Sequence, residues 1–469
     1  MSESTVSHYN KQTTRFCRYK FLIVLLCLFF VFQTKADLLS ATLDYHQGNF
    51  NDAKREFQQL AYLGNADAIY NIAVMHLHGQ GVEKNKAQAY AWFSLAADFG
   101  LLDARDTAML IARQSNNQQP LDDAYNALLK QLSFQWYDRQ LRPELNASPA
   151  PHASPQRSYT VEPKYPEHAY KNGIEGWVWL EFDIDKSGAV TDVSLIDSYP
   201  EKTFDKAIIN AVKRWKYQGD SQTLPYYNRS LLYHFTTYKG KQYEQSFKSQ
   251  QREYNEKISD LIDAAEQGNA LVQYYIANWL SSDDYNATRL LKYHWQQANA
   301  NSELLLRSAV NGYANSQYRI GANMLRGEYG KVDREKGLNW IVLAAQSGFA
   351  NAQYRLGREL LNSQYVDYAP NKALKWLKAA AEQGLFSAKR DLALLLFELK
   401  KPAQQVTAAL NSALIDDSEH PQLLLLKARI QAASNKPQHA KKLANSALKE
   451  ANARNWDQSR IKQFMATLP

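Results

Sequence analysis

Apolar residues recur along much of the chain at helical spacing, in stretches that close on a glycine. Leu304 to Val310, Trp340 to Ala345 and Trp376 to Ala381 precede Gly312, Gly348 and Gly384, which lie 36 residues apart, and the same step separates Gly64 from Gly100. Matching starts follow three of these glycines: Ala66-Asp67-Ala68-Ile69-Tyr70, Asn315-Ser316-Gln317-Tyr318-Arg319-Ile320-Gly321 and Asn351-Ala352-Gln353-Tyr354-Arg355-Leu356-Gly357. A fixed period of this length is the mark of stacked helical repeats, each helix-turn-helix. The glycine supplies the left-handed residue that ends a helix, and small pairs such as Ala344-Ala345 let neighbouring helices approach. The step from Gly268 to Gly312 is 44 residues, so that repeat is expected to be irregular. Beyond Leu396 the glycines stop, yet Ala403 to Ile415, Gln422 to Ala433 and Ala440 to Ala451 keep helical periodicity and read as capping helices.

In the middle the period changes to two. Val178, Leu180, Phe182 and Ile184 share one strand face, while Trp177, Trp179, Glu181 and Asp183 share the other. Asp185-Lys186-Ser187-Gly188 has turn chemistry, so Val190 to Ile196 predicts the second strand of a hairpin. Phe204, Ala207, Ile208, Ala211, Val212 and Trp215 form one apolar helical stripe. Ser230 to Thr237 alternates again, which completes a β-β-α-β order. Between Leu141 and Arg157, Pro143, Pro149, Pro151 and Pro155 favour extended chain with a reach of about 50 Å, and the flanking units are expected to be loosely tethered.

Ala-Ala-Glu-Gln-Gly at 380–384 and 264–268, with Gly79-Gln80-Gly81-Val82, resembles the Sel1-like family, a relative of tetratricopeptide repeats. Tyr165-Pro166, Ala169, Gly173, Gly176-Trp177-Val178, Phe182, Gly188-Ala189-Val190, Ser198, Phe204-Asp205, Ala207 and Trp215 together resemble the C-terminal domain of TonB. The expected fold is therefore multidomain: α-helical Sel1/TPR-like solenoid repeats plus one small α+β TonB C-terminal-like domain. The boundaries are a signal peptide at 1–36, repeats at 37–140, a Pro-rich linker at 141–157, the TonB-like domain at 158–240, repeats at 255–395 and degenerate capping helices at 396–469.

The N-terminus refines the setting. Lys11, Arg15, Arg18 and Lys20 precede an apolar run from Phe21 to Phe32 and then Thr34-Lys35-Ala36, a signal-peptide layout with cleavage expected after Ala36. The run makes a helix of roughly 18 Å against a hydrocarbon layer of roughly 30 Å, which disfavours a spanning anchor. Leu26 before Cys27 disfavours lipid attachment there. Cys17 and Cys27 both lie in this leader, so a processed chain holds no disulfide or thiolate metal site. The leader also carries five Lys/Arg against one acid, so part of the net charge of +8 belongs to it.

Chemistry is sparse. His76 and His78 lack a third ligand at a recognised spacing, and Asp98-Phe99-Gly100 has no accompanying kinase sequence. No nucleophile elbow, phosphate loop or His-Glu-x-x-His occurs, and the module's carboxylates fall on strand positions expected to face solvent. No enzymatic activity, cofactor or metal is therefore expected. Ser158 to Gly240 holds ten bases and eleven acids, which disfavours nucleic acid.

The TonB resemblance implies a periplasmic domain that meets outer-membrane transporters through strand addition to its last strand. That would use Leu231, Leu232, Tyr233, His234, Phe235 and Thr236, because sheet edges carry unpaired N–H and C=O groups. Two alternatives stay open for this edge, that Lys239 to Ser249 covers it or that a second copy does. Trp177 and Trp179 are further surface candidates, and the competing reading packs them under the domain's own loops or a repeat helix. The expected partners are an outer-membrane transporter or a TonB-system component, with peptidoglycan or assembly factors as the alternative. The expected place is the periplasm, with inner-membrane anchoring if the leader is retained.

Overall fold

The structure is a computed structural model that describes residues 37–145, 154–220, 223–237, 258–327, 332–362 and 366–469. The leader and the segment Lys239 to Ser249 lie outside the described residues.

The chain opens with helices α1 (Leu38–His46), α2 (Phe50–Tyr62), α3 (Ala66–His78), α4 (Lys86–Asp98), α5 (Leu102–Arg113), α6 (Gln119–Leu129) and α7 (Phe134–Gln140). The middle module follows as β1 (Gln156–Tyr159), α8 (Glu167–Lys171), β2 (Gly176–Ile184), β3 (Val190–Tyr199), α9 (Asp205–Val212), β4 (Lys216–Gln218) and β5 (Tyr226–Phe235). The second run of repeats begins with α10 (258–266), α11 (Ala270–Trp279), α12 (Asn286–His294), α13 (Ala300–Val310) and α14 (Ala314–Arg326). It continues through α15 (Arg334–Gln346), α16 (Ala350–Asn362), α17 (Pro370–Glu382), α18 (Phe386–Glu398) and α19 (Ala403–Asp416), and ends with α20 (Pro421–Ala433), α21 (Pro437–Ala453) and α22 (Ser459–Met465).

Each repeat follows from its residues. Gly312, Gly348 and Gly384 have φ of +92°, +90° and +88°, so the helix before each stops in a left-handed turn that an L side chain would strain. Ala344, Ala345, Ala352, Ala373 and Ala380 are fully buried between helices, where a larger side chain would force the helices apart. In the 44-residue repeat the extra length forms α12, and Tyr285, Leu291 and Trp295 of this insertion enter the core.

The module's main sheet has the order β3-β2-β5 with antiparallel pairing, and β5 is an edge among the described residues. Val178, Leu180, Phe182 and Ile184 meet Phe204, Ile208, Val212 and Trp215 in a core of the module's own. The helix is shorter than its apolar stripe suggests: Phe204 is its cap and Trp215 lies past its end, anchored by Nε1 donating to the Val161 carbonyl at 2.8 Å. A second sheet of β1 and β4 joins the module, which the alternation alone had not indicated. The last strand begins earlier than expected, at Tyr226, and Thr236 follows its end.

The linker expectation needs correction in its described part. Residues 141–145 are held against the second run of repeats: Trp376 Nε1 donates to the Leu141 carbonyl at 2.9 Å, Lys372 pairs with Glu144 at 2.8 Å, and Leu145 bridges to Val366. Gln346 Nε2 donates to the Tyr137 hydroxyl at 2.8 Å, and Leu38 N donates to the Ser347 carbonyl at 3.0 Å. The first repeats are thus fastened to the later ones by polar contacts, those of Trp376 with Leu141 and Gln346 with Tyr137 buried, rather than loosely tethered. The described residues form one compact unit.

Candidate functional site

The sheet face that carries Trp177, Trp179, Glu181 and Asp183 is where the module meets the repeats. A strand that alternates apolar and polar residues usually leaves its polar face in water. Here all nine residues of β2 are buried, because the first helices of four successive repeats, α11, α14, α16 and α18, lie across that face. The expectation of solvent-facing carboxylates on β2 is corrected accordingly. Of the two readings left open for the tryptophan pair, the packed one is what the structure has: Trp177 and Trp179 are 0% and 1% exposed and lie against repeat helices.

Each repeat contributes from the same positions. The fifth residue of the four helices is Tyr274, Tyr318, Tyr354 and Arg390 in turn. Tyr274 meets the Trp177 ring edge-on at 5.7 Å, and Tyr318 lies 5.8 Å from the Trp179 ring while its hydroxyl donates to Glu181 Oε2 at 2.5 Å. Arg390 pairs with Asp192 of β3. The second residues also reach the sheet, with Asn315 Nδ2 donating to Asp197 at 2.9 Å and the Ser387 hydroxyl 3.3 Å from that of Ser194. From further along the helices, Arg319 stands over the Trp179 ring at 5.7 Å, Arg326 lies 3.8 Å from Glu181 Oε1, and Arg358 pairs with Asp183 at 2.7 Å.

Burial opposes charge on Arg358 and Arg390, yet the neighbouring groups together, led by Asp183 for the first and Asp192 for the second with Asp391 and Tyr354 beside both, outweigh it and hold both guanidiniums well above the usual arginine range. Burial pushes the Glu181 carboxyl up, with Arg355, Arg326 and the Tyr318 hydroxyl pulling against it. Magnitudes separate the roles of these contacts. Two buried tryptophans remove about 150–250 Å² each, worth roughly 8–12 kcal/mol of gross hydrophobic driving force at about 25 cal/mol/Å². Buried ion pairs come close to cancelling their own desolvation. The tryptophans therefore supply most of the adhesion, and the matched charges fix where the sheet sits.

β5 is committed on both side-chain faces. Leu231, Tyr233 and Phe235 pack with the module's own core, whereas Leu232 packs with the repeat core. His234 Nδ1 lies 2.7 Å from the Tyr285 hydroxyl, which donates to the Gly176 carbonyl at 2.8 Å. Gly176 permits this junction: a Cβ there would sit 1.9 Å from the Tyr199 carbonyl oxygen. Of the residues expected to bind a partner, Leu231 to Phe235 lie together on this edge strand, Thr236 lies just beyond it, and Trp177 and Trp179 lie under the repeats.

The residues that seat the sheet went unread in the sequence. Their signal was present, since tyrosine and arginine recur at fixed repeat positions where a helix that packs on one side only would be exposed. His76 and His78 end α3, and among the described residues no cluster of His, Cys, Asp or Glu could hold a metal ion.

Comparison with known proteins agrees with this anatomy. The family of the Gram-negative bacterial TonB protein C-terminal matches residues 161–228, and the Sel1 repeat family matches residues 66–100, 314–349 and 350–385. The chain carries a TonB C-terminal domain among Sel1 repeats.

The TonB match ends within β5, so Leu231 to Thr236 lie past it. Protein TonB of Yersinia enterocolitica is 31% identical over 65 residues, 14% of this chain and 26% of that protein. Protein TonB of Xanthomonas campestris pv. campestris (strain B100) is 37% identical over 59 residues, 13% of this chain and 26% of that protein. The chain thus spans about a quarter of the length of the curated relatives it matches. Among solved structures, the Sel1 repeat protein from Oxalobacter formigenes is 20% identical with a TM-score of 0.32, over 45% of this chain and 59% of that one. The TonB C-terminal domain and the Sel1 repeats point to protein interaction, and nothing in either match points to catalysis.

Proposed function

We propose that this chain is a periplasmic interaction protein of a TonB-type outer-membrane transport system, exported by its leader and without enzymatic activity or cofactor. Its TonB C-terminal domain engages a transporter segment or a sibling component by strand addition along β5, and the Sel1 repeats serve as scaffold. The supporting observation is the state of β5: an edge strand among the described residues, with both side-chain faces already packed. What such a strand offers a newcomer is its main chain, and strand addition draws its affinity from main-chain hydrogen bonds. Energy transduction is not carried over, because the match covers only about a quarter of the relatives. Among the described residues no helix is long and apolar enough to cross a membrane.

Two proline variants of the full chain test this reading by pull-down from envelope extracts. Consecutive strand residues direct their main-chain groups to opposite sides, so of Leu232→Pro and Tyr233→Pro one faces β2 and the other faces outward. The wild-type chain should capture an outer-membrane transporter or transport-complex component, and the outward-facing proline should reduce that capture at least about tenfold while the near-UV circular dichroism of the fold persists. Capture of no such component, or capture indifferent to both prolines, contradicts the reading.

One observation favours a second reading, an envelope scaffold that binds peptidoglycan or assembly factors. The module is clamped by the repeats as a structural insert would be. Sedimentation of the full chain with purified peptidoglycan, against a soluble control, separates the two.

A further inference from the structure

The repeats form two runs, and their first helices do different work. In the second run the inner positions of α11, α14, α16 and α18, the second, fifth, sixth and ninth of each helix, supply most of the side chains that meet the chain's own sheet. Those positions include Arg319, Arg355, Arg358 and Arg390, with Asp391 as the one acid among them, opposite the sheet carboxylates Glu181, Asp183, Asp192 and Asp197. The occupant and its seat are thus complementary in charge.

In the first run no sheet covers these positions among the described residues, and their chemistry is reversed. The same positions of α1, α3 and α5 contain Asp67, Asp103 and Asp106 and no lysine or arginine. All three aspartates are exposed. The same positions also carry apolar side chains that a solvated face would not select: Leu39 and Leu43 of α1 and Leu110 of α5 are 46%, 50% and 55% exposed. In α14 the counterparts of Leu39 and Leu43 are Asn315 and Arg319, and in α16 the counterpart of Leu110 is Arg358, all three of which touch the sheet.

We infer that this inner face of the first repeats is a second seat, built to receive a cationic segment of a partner protein that carries apolar side chains beside its basic ones. The charge follows from Asp67, Asp103 and Asp106, and the apolar component follows from Leu39 and Leu43 of α1 and Leu110 of α5. Opposite charges attract the segment, and burial of leucine side chains at roughly 25 cal/mol/Å² supplies the adhesion. The division of labour leaves the later repeats to hold the module and the earlier ones to hold the partner. It does not depend on strand addition at β5.

Fluorescence anisotropy with the full chain tests it, using a fluorescein-labelled peptide of alternating lysine and valine and a twin with glutamate in place of lysine. The lysine peptide should bind and the glutamate twin should not. Asp103→Lys/Asp106→Lys and, separately, Leu39→Ser/Leu43→Ser should each weaken binding at least about tenfold, because exposed positions change the surface without unfolding the helices. Ile415→Ser, 84% exposed on α19, should leave it unchanged. Equal binding of the two peptides, or binding unaffected by either double variant, overturns the inference. So does self-association of the chain that these leucine variants abolish in sedimentation velocity, since the face would then be an interface between copies.

Discussion

At the scale of single residues, the contact between His234 and Tyr285 shows how closely the module is fitted to its seat. Tyr285 has one hydroxyl proton, and it goes to the Gly176 carbonyl, so the hydroxyl accepts from His234 and the imidazole carries its proton on Nδ1. Burial, with Arg319 adding to it, lowers the His234 pKa from 6.5 to about 4. The folded chain therefore resists a proton that the unfolded chain accepts. Above pH 6.5 both states hold a neutral ring and His234 imposes no penalty; as the pH falls from 6.5 towards 4, unfolding takes up a proton and stability is lost. Replacing the ring should remove that slope. Chemical denaturation of wild type and His234→Gln across this range should give a stability difference that is flat above pH 6.5 and shifts in favour of the variant below it. A constant difference from pH 4 to 8 would mean that the ring is not held neutral.

Among the elements, β2 carries the lesson about what a sequence discloses. Its two faces were plain in the alternation of Val178, Leu180, Phe182 and Ile184 with Trp177, Trp179, Glu181 and Asp183, and so was the apolar stripe that covers the first face. What covers the second was not legible, because the contact joins residues far apart in the chain, such as Asp183 with Arg358 and Asp192 with Arg390. Local periodicity reports that a face exists and is silent about what meets it. The repeats show the same limit: glycine spacing announced the helices, but Tyr318 and Arg390 take their meaning from the sheet opposite them. The Asp183–Arg358 pair gives this contact a measurable consequence. Arg358→Met strands a buried carboxylate and should cost about 3–5 kcal/mol in denaturant unfolding, whereas Asp183→Asn/Arg358→Met should recover most of it. Losses that simply add would show that the two side chains do not meet.

For the whole molecule, the arrangement reverses the usual division between a repeat scaffold and its cargo, since the later repeats take the chain's own sheet as their ligand. On the readings proposed above, other proteins would meet the outer edge of β5 and the inner face of the first repeats. This disposition also explains how the described residues, which include no cysteine, can fix a small α+β module, with Trp177 and Trp179 buried between module and repeats and three charge pairs to set their position. The contact most open to direct test is Ser194 with Ser387, whose hydroxyl oxygens lie 3.3 Å apart across the junction. In a Cys17→Ser/Cys27→Ser background, Ser194→Cys/Ser387→Cys should close an intramolecular disulfide under mild oxidation, identified by mass spectrometry of the joined peptides. Free thiols, or disulfides formed solely between chains, would contradict the seating of the TonB C-terminal domain within the Sel1 repeats.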